Sequence, residues 1–155
     1  MSTVVNTFCA TLFCLLFSLK INSQSTNQVQ KDSLVNLVNT YYSQNIKIFA
    51  ANSSVEDINN VFDLFTNDFV YVHPKYGGTY SRQKLYDGYI RNQKNGGYDG
   101  SVIDIKIVNM ITGLNAIAVE RKYITKTESG IKDGDYQMTL FEFKNGKISK
   151  IFEYW

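Results

Sequence analysis

The chain has 155 residues, is 44% hydrophobic and 14% aromatic, and sets 16 Lys and Arg against 14 Asp and Glu for a formal charge of +2. That length holds one domain, and the apolar fraction excludes a disordered chain. A single Pro and ten Gly exclude collagen-like and proline-rich classes, and with no basic run there is no electrostatic footprint for nucleic acid.

Residues 8–19 (FCATLFCLLFSL) form an apolar run of twelve, broken only by small residues. A spanning helix needs about 20 such residues, so no stable membrane anchor is expected. The run fits the core of a secretory signal over 1–23, although its N-terminal flank carries no Lys or Arg. Cleavage near Ser23 makes the product secreted or periplasmic. It removes Cys9, Cys14 and Lys20, leaving 15 cations against 14 anions and no cysteine for a disulfide or thiolate site. Residues 24–31 read as a polar leader and 32–155 as the domain.

From Asp32 the pattern is helical, with Leu34, Leu37/Val38, Tyr41/Tyr42 and Ile48/Phe49 on one face. Ser54, with Asp57 three residues on, caps a second helix. Ile58, Val61, Phe62 and Phe65 form its apolar stripe. FVYVH (69–73) is a strand ended by Pro74. Ser81 caps a third helix, closed by Gly96-Gly97.

Four strand patterns follow: 102–109, 115–127, 135–143 and 147–155. Asn145-Gly146 between the last two marks a two-residue hairpin. Counting out from that turn pairs Leu140 with Ile151, Met138 with Glu153 and Tyr136 with Trp155 on one face. Both faces of this hairpin are substantially apolar, so one packs on the helices while the other meets a partner, or one lines a cavity. The class is α+β, with an antiparallel meander and segregated helices.

The segments VEDINNVFDLFTNDFVYVHP (55–74), GGTYSRQKLYDGY (77–89) and LFEFKNGKISKIFEYW (140–155), in this order of elements, resemble the nuclear-transport-factor-2-like superfamily, its bacterial SnoaL-like members above all. The resemblance spans about 32–155. It implies a cone-shaped curved antiparallel sheet wrapped on three N-terminal helices, an α+β barrel of the cystatin-like kind. It also implies a pocket at the open end and homodimers packed through the sheet. The superfamily holds isomerases, cyclases, dehydratases, epoxide hydrolases and members without catalysis, so fold leaves function open.

His73 is the single histidine. In isomerase-like members an aspartate before the matching proline is the proton-transferring base; here His73 precedes Pro74, and imidazole suits proton transfer near neutrality. Tyr71 shares its strand face. Tyr41 or Tyr42 matches the region of an oxyanion-donating tyrosine, with Tyr42 the candidate hydrogen-bond donor. That pattern also wants a buried neutral acid, for which Glu120, Glu142 and Glu153 are the strand carboxylates; the competing reading of Glu153 is a salt bridge across the sheet.

Tyr41, Tyr71, Tyr136, Glu153 and Trp155 are the expected ligand contacts. Tyr76, Tyr80, Tyr86, Tyr89 and Tyr98 cluster around the loop and helix that would rim the cone, giving apolar area with polar tips. No metal site and no cofactor are expected. Three functions compete: a module binding a small, partly apolar molecule, an isomerase-, cyclase- or dehydratase-type enzyme with His73 as general base, and a structural partner-binding domain with a filled cone.

Overall fold

The structure, a computed structural model, describes residues 28–155. The expected signal segment and the first part of the leader lie outside them. Residues 28–49 are helical (α1), so the helix already runs through 28–31, the end of the stretch read as leader. Gln30 anchors this turn by donating to the Leu114 carbonyl and Asn115 Oδ1. Leu34, Val38, Tyr41, Tyr42, Asn45 and Ile48 are buried at three- and four-residue steps, which is the one-sided stripe expected.

Helix α2 (Val55–Phe62) begins with a reciprocal capping box between Ser54 and Asp57. It is shorter than its stripe suggests. Phe65 lies beyond it and opens strand β1 (Phe65–His73), where it pairs with Ile148 and stacks on Phe69 at 3.9 Å. An apolar residue at i+7 serves a helix stripe or a strand equally well; the partner strand settles which. Pro74 ends β1 as expected and starts a short 3-10 turn, Pro74–Tyr76. Gly77 and Gly78, at φ 99° and 104°, then fold strand β2 (Gly78–Ser81) back on β1. Helix α3 (Arg82–Lys94) starts at its Ser81 cap.

The remaining strands are β3 (Val102–Thr112), β4 (Ala116–Thr127), β5 (Gly130–Asp133), β6 (Gln137–Lys144) and β7 (Lys147–Tyr154). The long ones form the expected meander in the order β3, β4, β6, β7, with β5 a short addition on β4. The α+β class, a curved sheet against three helices, is as expected, with two differences of detail. The sheet is mixed, because β1 lies parallel to β7. It is also open, because its hydrogen-bonded path runs from β2 to β3 and does not close into a barrel.

The register of the last hairpin is corrected too. Asn145 and Gly146, at φ 54° and 72°, make the two-residue turn and set Lys144 opposite Lys147 and Phe143 opposite Ile148. A bulge at Ser149 then moves the pairing by one residue, so Leu140 faces Phe152, Thr139 faces Glu153 and Met138 faces Tyr154. Without it, strict alternation from Ile148 would turn Ile151 and Glu153 outward. With it, Ile148 and Ile151 are both fully buried.

Candidate functional site

Inward-facing side chains grade from apolar to polar along the sheet. Ile117 and Val119 of β4, Phe141 of β6 and Ile151 of β7 are fully buried beneath α1. Further along the same strands come Arg121 and Tyr123, then Thr139 and Gln137, then Glu153 and Trp155. Parallel pairing of β1 with β7 brings His73 to the same end, since Val72 lies beside Phe152. The order of strands, rather than proximity in sequence, therefore assembles one polar end.

Arg121 is the centre of that end and is 2% exposed. Its Nε donates to Thr139 Oγ1 at 3.2 Å, one terminal nitrogen to Gln137 Oε1 at 2.7 Å, and the other to Glu153 Oε2 at 3.4 Å. The same Glu153 oxygen accepts from Thr139 Oγ1 and from Trp155 Nε1, each at 2.7 Å. The guanidinium lies 4.5 Å from the Tyr123 ring centre, 5.6 Å from Trp155 and 5.8 Å from Tyr42. Burial alone would lower its pKa, but Tyr123 and Glu153 reverse the effect and the net shift is upward, so Arg121 stays a cation. Of the two readings of Glu153, the structure gives the salt bridge: its Oε2 lies 3.4 Å from an Arg121 nitrogen, with both side chains buried.

His73 is 3% exposed, and among the described residues neither ring nitrogen has a hydrogen-bond partner. Its ring lies 4.5 Å from both Tyr76 and Trp155 and 6.1 Å from Tyr71. Burial lowers its pKa; Glu153 opposes the shift, while Lys75 and Arg121 add to it. The imidazole is therefore neutral at neutral pH. Tyr42 is also buried, its hydroxyl near Thr139 but within hydrogen-bond geometry of no partner among the described residues, and burial raises its pKa, as it does for Tyr41 and Tyr71. Tyr41 packs edge-on against Phe141 at 5.3 Å. Tyr136 stands apart: it is 61% exposed, with the Lys122 ammonium 4.0 Å from its ring centre. Its placement opposite Trp155 depended on the register that the Ser149 bulge changes.

A concavity lies at the mouth. It is a cleft of about 1080 Å³ between α3, the 95–98 loop and the 74–80 turn, walled by Tyr76, Tyr80, Tyr89, Tyr98, Phe49 and Leu85 with Lys84, Asp87, Arg91, Asn92 and Asn95. Four of the five rim tyrosines named from the sequence are there. Tyr86 is not; its hydroxyl donates to Asn59 Oδ1 at 2.8 Å, on the α2 side. Tyr41, Tyr71, His73, Glu153 and Trp155 do not wall the cleft. They form a second layer behind Tyr76 and Tyr80, with Tyr80 at 6.2 Å from Tyr71 and Tyr76 at 5.9 Å from Trp155. The Tyr80 hydroxyl donates to the Tyr76 carbonyl and ties these two together.

Sequence reasoning missed Arg121, Tyr123, Thr139 and Gln137. The signal for the first two was present, because Ile117, Val119, Arg121 and Tyr123 share one strand parity. It also missed Lys84 and Arg91, seven residues apart on one face of α3, and Gly88 between them. Gly88 leaves space: a Cβ there would meet nothing nearer than the Arg91 guanidinium at 4.0 Å.

No family model matches the chain, and no curated protein matches it. Solved structures do. A ketosteroid-isomerase-like fold protein from Catenulispora acidiphila, in complex with trimethylamine, is 15% identical over 77% of this chain and 84% of its own, with a TM-score of 0.53. An NTF2-like protein from Anabaena variabilis is 13% identical over 79% and 89%, TM-score 0.55. An LEH-like epoxide hydrolase from M. tuberculosis is 18% identical over 80% and 83%, TM-score 0.56. The fold is therefore the nuclear-transport-factor-2-like α+β fold; function is a matter for the site.

Proposed function

We propose that this NTF2-like domain is a SnoaL-like binding module for a small, partly apolar molecule, held in the tyrosine-walled cleft at the open end of the cone. The observation that carries the reading is the cleft itself. About 1080 Å³ is walled by five aromatic side chains and Leu85 on one hand and five polar or charged side chains on the other, a volume at the upper end of small-molecule sites and a lining that suits a partly apolar ligand. Tyrosine suits such a wall because it offers large rigid contact area with a hydroxyl at its edge. The test is amide chemical-shift mapping during titration with 2-naphthol, a flat, partly polar probe. Shifts centred on Gly88, Asn92 and Tyr98 support the cleft; shifts confined to the outer face of β6 and β7 refute it.

A second reading, an isomerase-, cyclase- or dehydratase-type enzyme, is favoured by His73, whose neutral imidazole has two unpartnered nitrogens. In it His73 is the general base and Tyr42 the hydrogen-bond donor, and the ligand passes Tyr76 to reach them. His73→Gln then abolishes turnover of a compound the wild type converts; undiminished turnover ends that role.

The proposal extends to secretion, with cleavage near Ser23, and to a homodimer packed through the outer sheet face. N-terminal sequencing of the exported product tests the first: an N-terminus still at Met1 contradicts it.

A further inference from the structure

Two of the five aromatic rings in the cleft wall, Tyr76 and Tyr80, already face one of the chain's own cations. Lys84 Nζ lies 4.8 Å from the Tyr80 ring centre. Lys75 Nζ lies 5.7 Å from Tyr76 and 5.9 Å from Trp155. Behind them Arg121 occupies Tyr123 and Trp155. An aromatic cage for a cationic ligand needs free ring faces and no competing charge. At the Tyr76 and Tyr80 side of the cleft a cationic ligand would meet rings that already face a lysine, and like charge beside them.

The charges of the cleft wall point the same way. Lys84 and Arg91 both line it, and neither is in an ion pair among the described residues. The one acid in the wall is Asp87, and its Oδ1 accepts from Gln83 at 2.8 Å on the helix surface. The wall is thus net positive, and Lys75 at the rim adds to it. An unpaired guanidinium offers a planar fork of donors that fits a carboxylate in two parallel hydrogen bonds, which an ammonium cannot match. The rings around it suit a flat apolar body.

We infer that the ligand of the cleft is an anion, a small aromatic or otherwise flat apolar carboxylate whose charged end is taken by Arg91 and Lys84. This rests on the cleft being the binding site, as proposed above, and adds the class of molecule.

The experiment compares three probes of one shape on the full chain by isothermal titration calorimetry: 2-naphthoate, 2-naphthalenemethanol and (2-naphthylmethyl)trimethylammonium. The expected order is naphthoate tightest, by about tenfold over the alcohol, with the ammonium weakest. Lys84→Gln/Arg91→Gln removes the advantage of naphthoate over the alcohol, and an advantage that survives the double substitution overturns the assignment of the charged end to these two residues. Both residues are on an exposed helix face, and a thermal melt confirms the variant is folded; if it is not, the single variant Arg91→Gln is used in its place. Alcohol binding as tight as naphthoate, or ammonium binding tighter, overturns the anion assignment while leaving the cleft as the site. Absence of binding by all three probes overturns the cleft reading and this inference with it.

Discussion

His73 carries a measurable signature. Its folded-state pKa lies below the usual imidazole value, chiefly through burial. The unfolded chain takes up this proton near about pH 6.5, the folded protein at lower pH. Between those values the unfolded state binds more protons, so stability falls as pH drops. The contribution is whole above the unfolded value and is lost as pH falls through the folded one. From about pH 7.5 to about 5.5 the wild type therefore loses more stability than His73→Gln, measured by urea denaturation. Parallel pH slopes for the two proteins would place the imidazole in solvent contact. His73 itself was legible in the sequence, as the one histidine before the one proline. Its unpartnered state was not, because that depends on Trp155, far along the chain, packing against it beside its near neighbour Tyr76.

Elements were legible where local chemistry decides them and illegible where a neighbouring strand does. The Ser54 cap, the Ser81 cap, the stop at Pro74 and the Asn145-Gly146 turn each follow from side-chain hydrogen bonding or backbone preference within a few residues. Phe65, β2 and the Ser149 bulge do not, since each is fixed by pairing with another strand: Phe65 with Ile148, β2 with β1, and the bulge with β6. The bulge mattered most: it put Glu153 beside Thr139 rather than Met138 and removed Tyr136 from the site. At this scale the capping box is the sharpest test. Helix α2 has only 8 residues, and its Ser54 backbone and side chain both engage Asp57. Ser54→Ala should cost about 1 kcal/mol, read as a lower denaturation midpoint with unchanged slope. No change in midpoint would show that packing of Ile58, Val61 and Phe62 alone holds the helix.

For the whole molecule, the order of elements and both apolar faces of the last hairpin were readable in advance. The inner face became the core. The outer face leaves Met138 44% and Tyr154 51% exposed beside Leu140 and Phe152, with Val108 and Ile111 of β3 at 41% and 69%. Exposed apolar area of this kind on a sheet suits a second copy. Sedimentation equilibrium should give twice the chain mass for the wild type and the single-chain mass for Met138→Lys; a monomeric wild type contradicts the dimer. What the sequence could not reveal was that the Arg121–Glu153 pair and its aromatic neighbours lie buried inside the cone, while the cleft opens at its mouth. That outcome depends on how many large side chains converge on one end of the sheet, which strand parity alone does not sum. The mouth cleft, rather than the cone interior, is the proposed binding site, and Gly88→Leu is its sharpest probe. Leucine fits the helix better than glycine by about 0.5–1 kcal/mol and fills the cleft. Calorimetric titration with 2-naphthol should show saturable binding to the wild type and binding weakened at least about tenfold in a Gly88→Leu protein that melts no lower. Equal affinity for the two proteins would contradict the account.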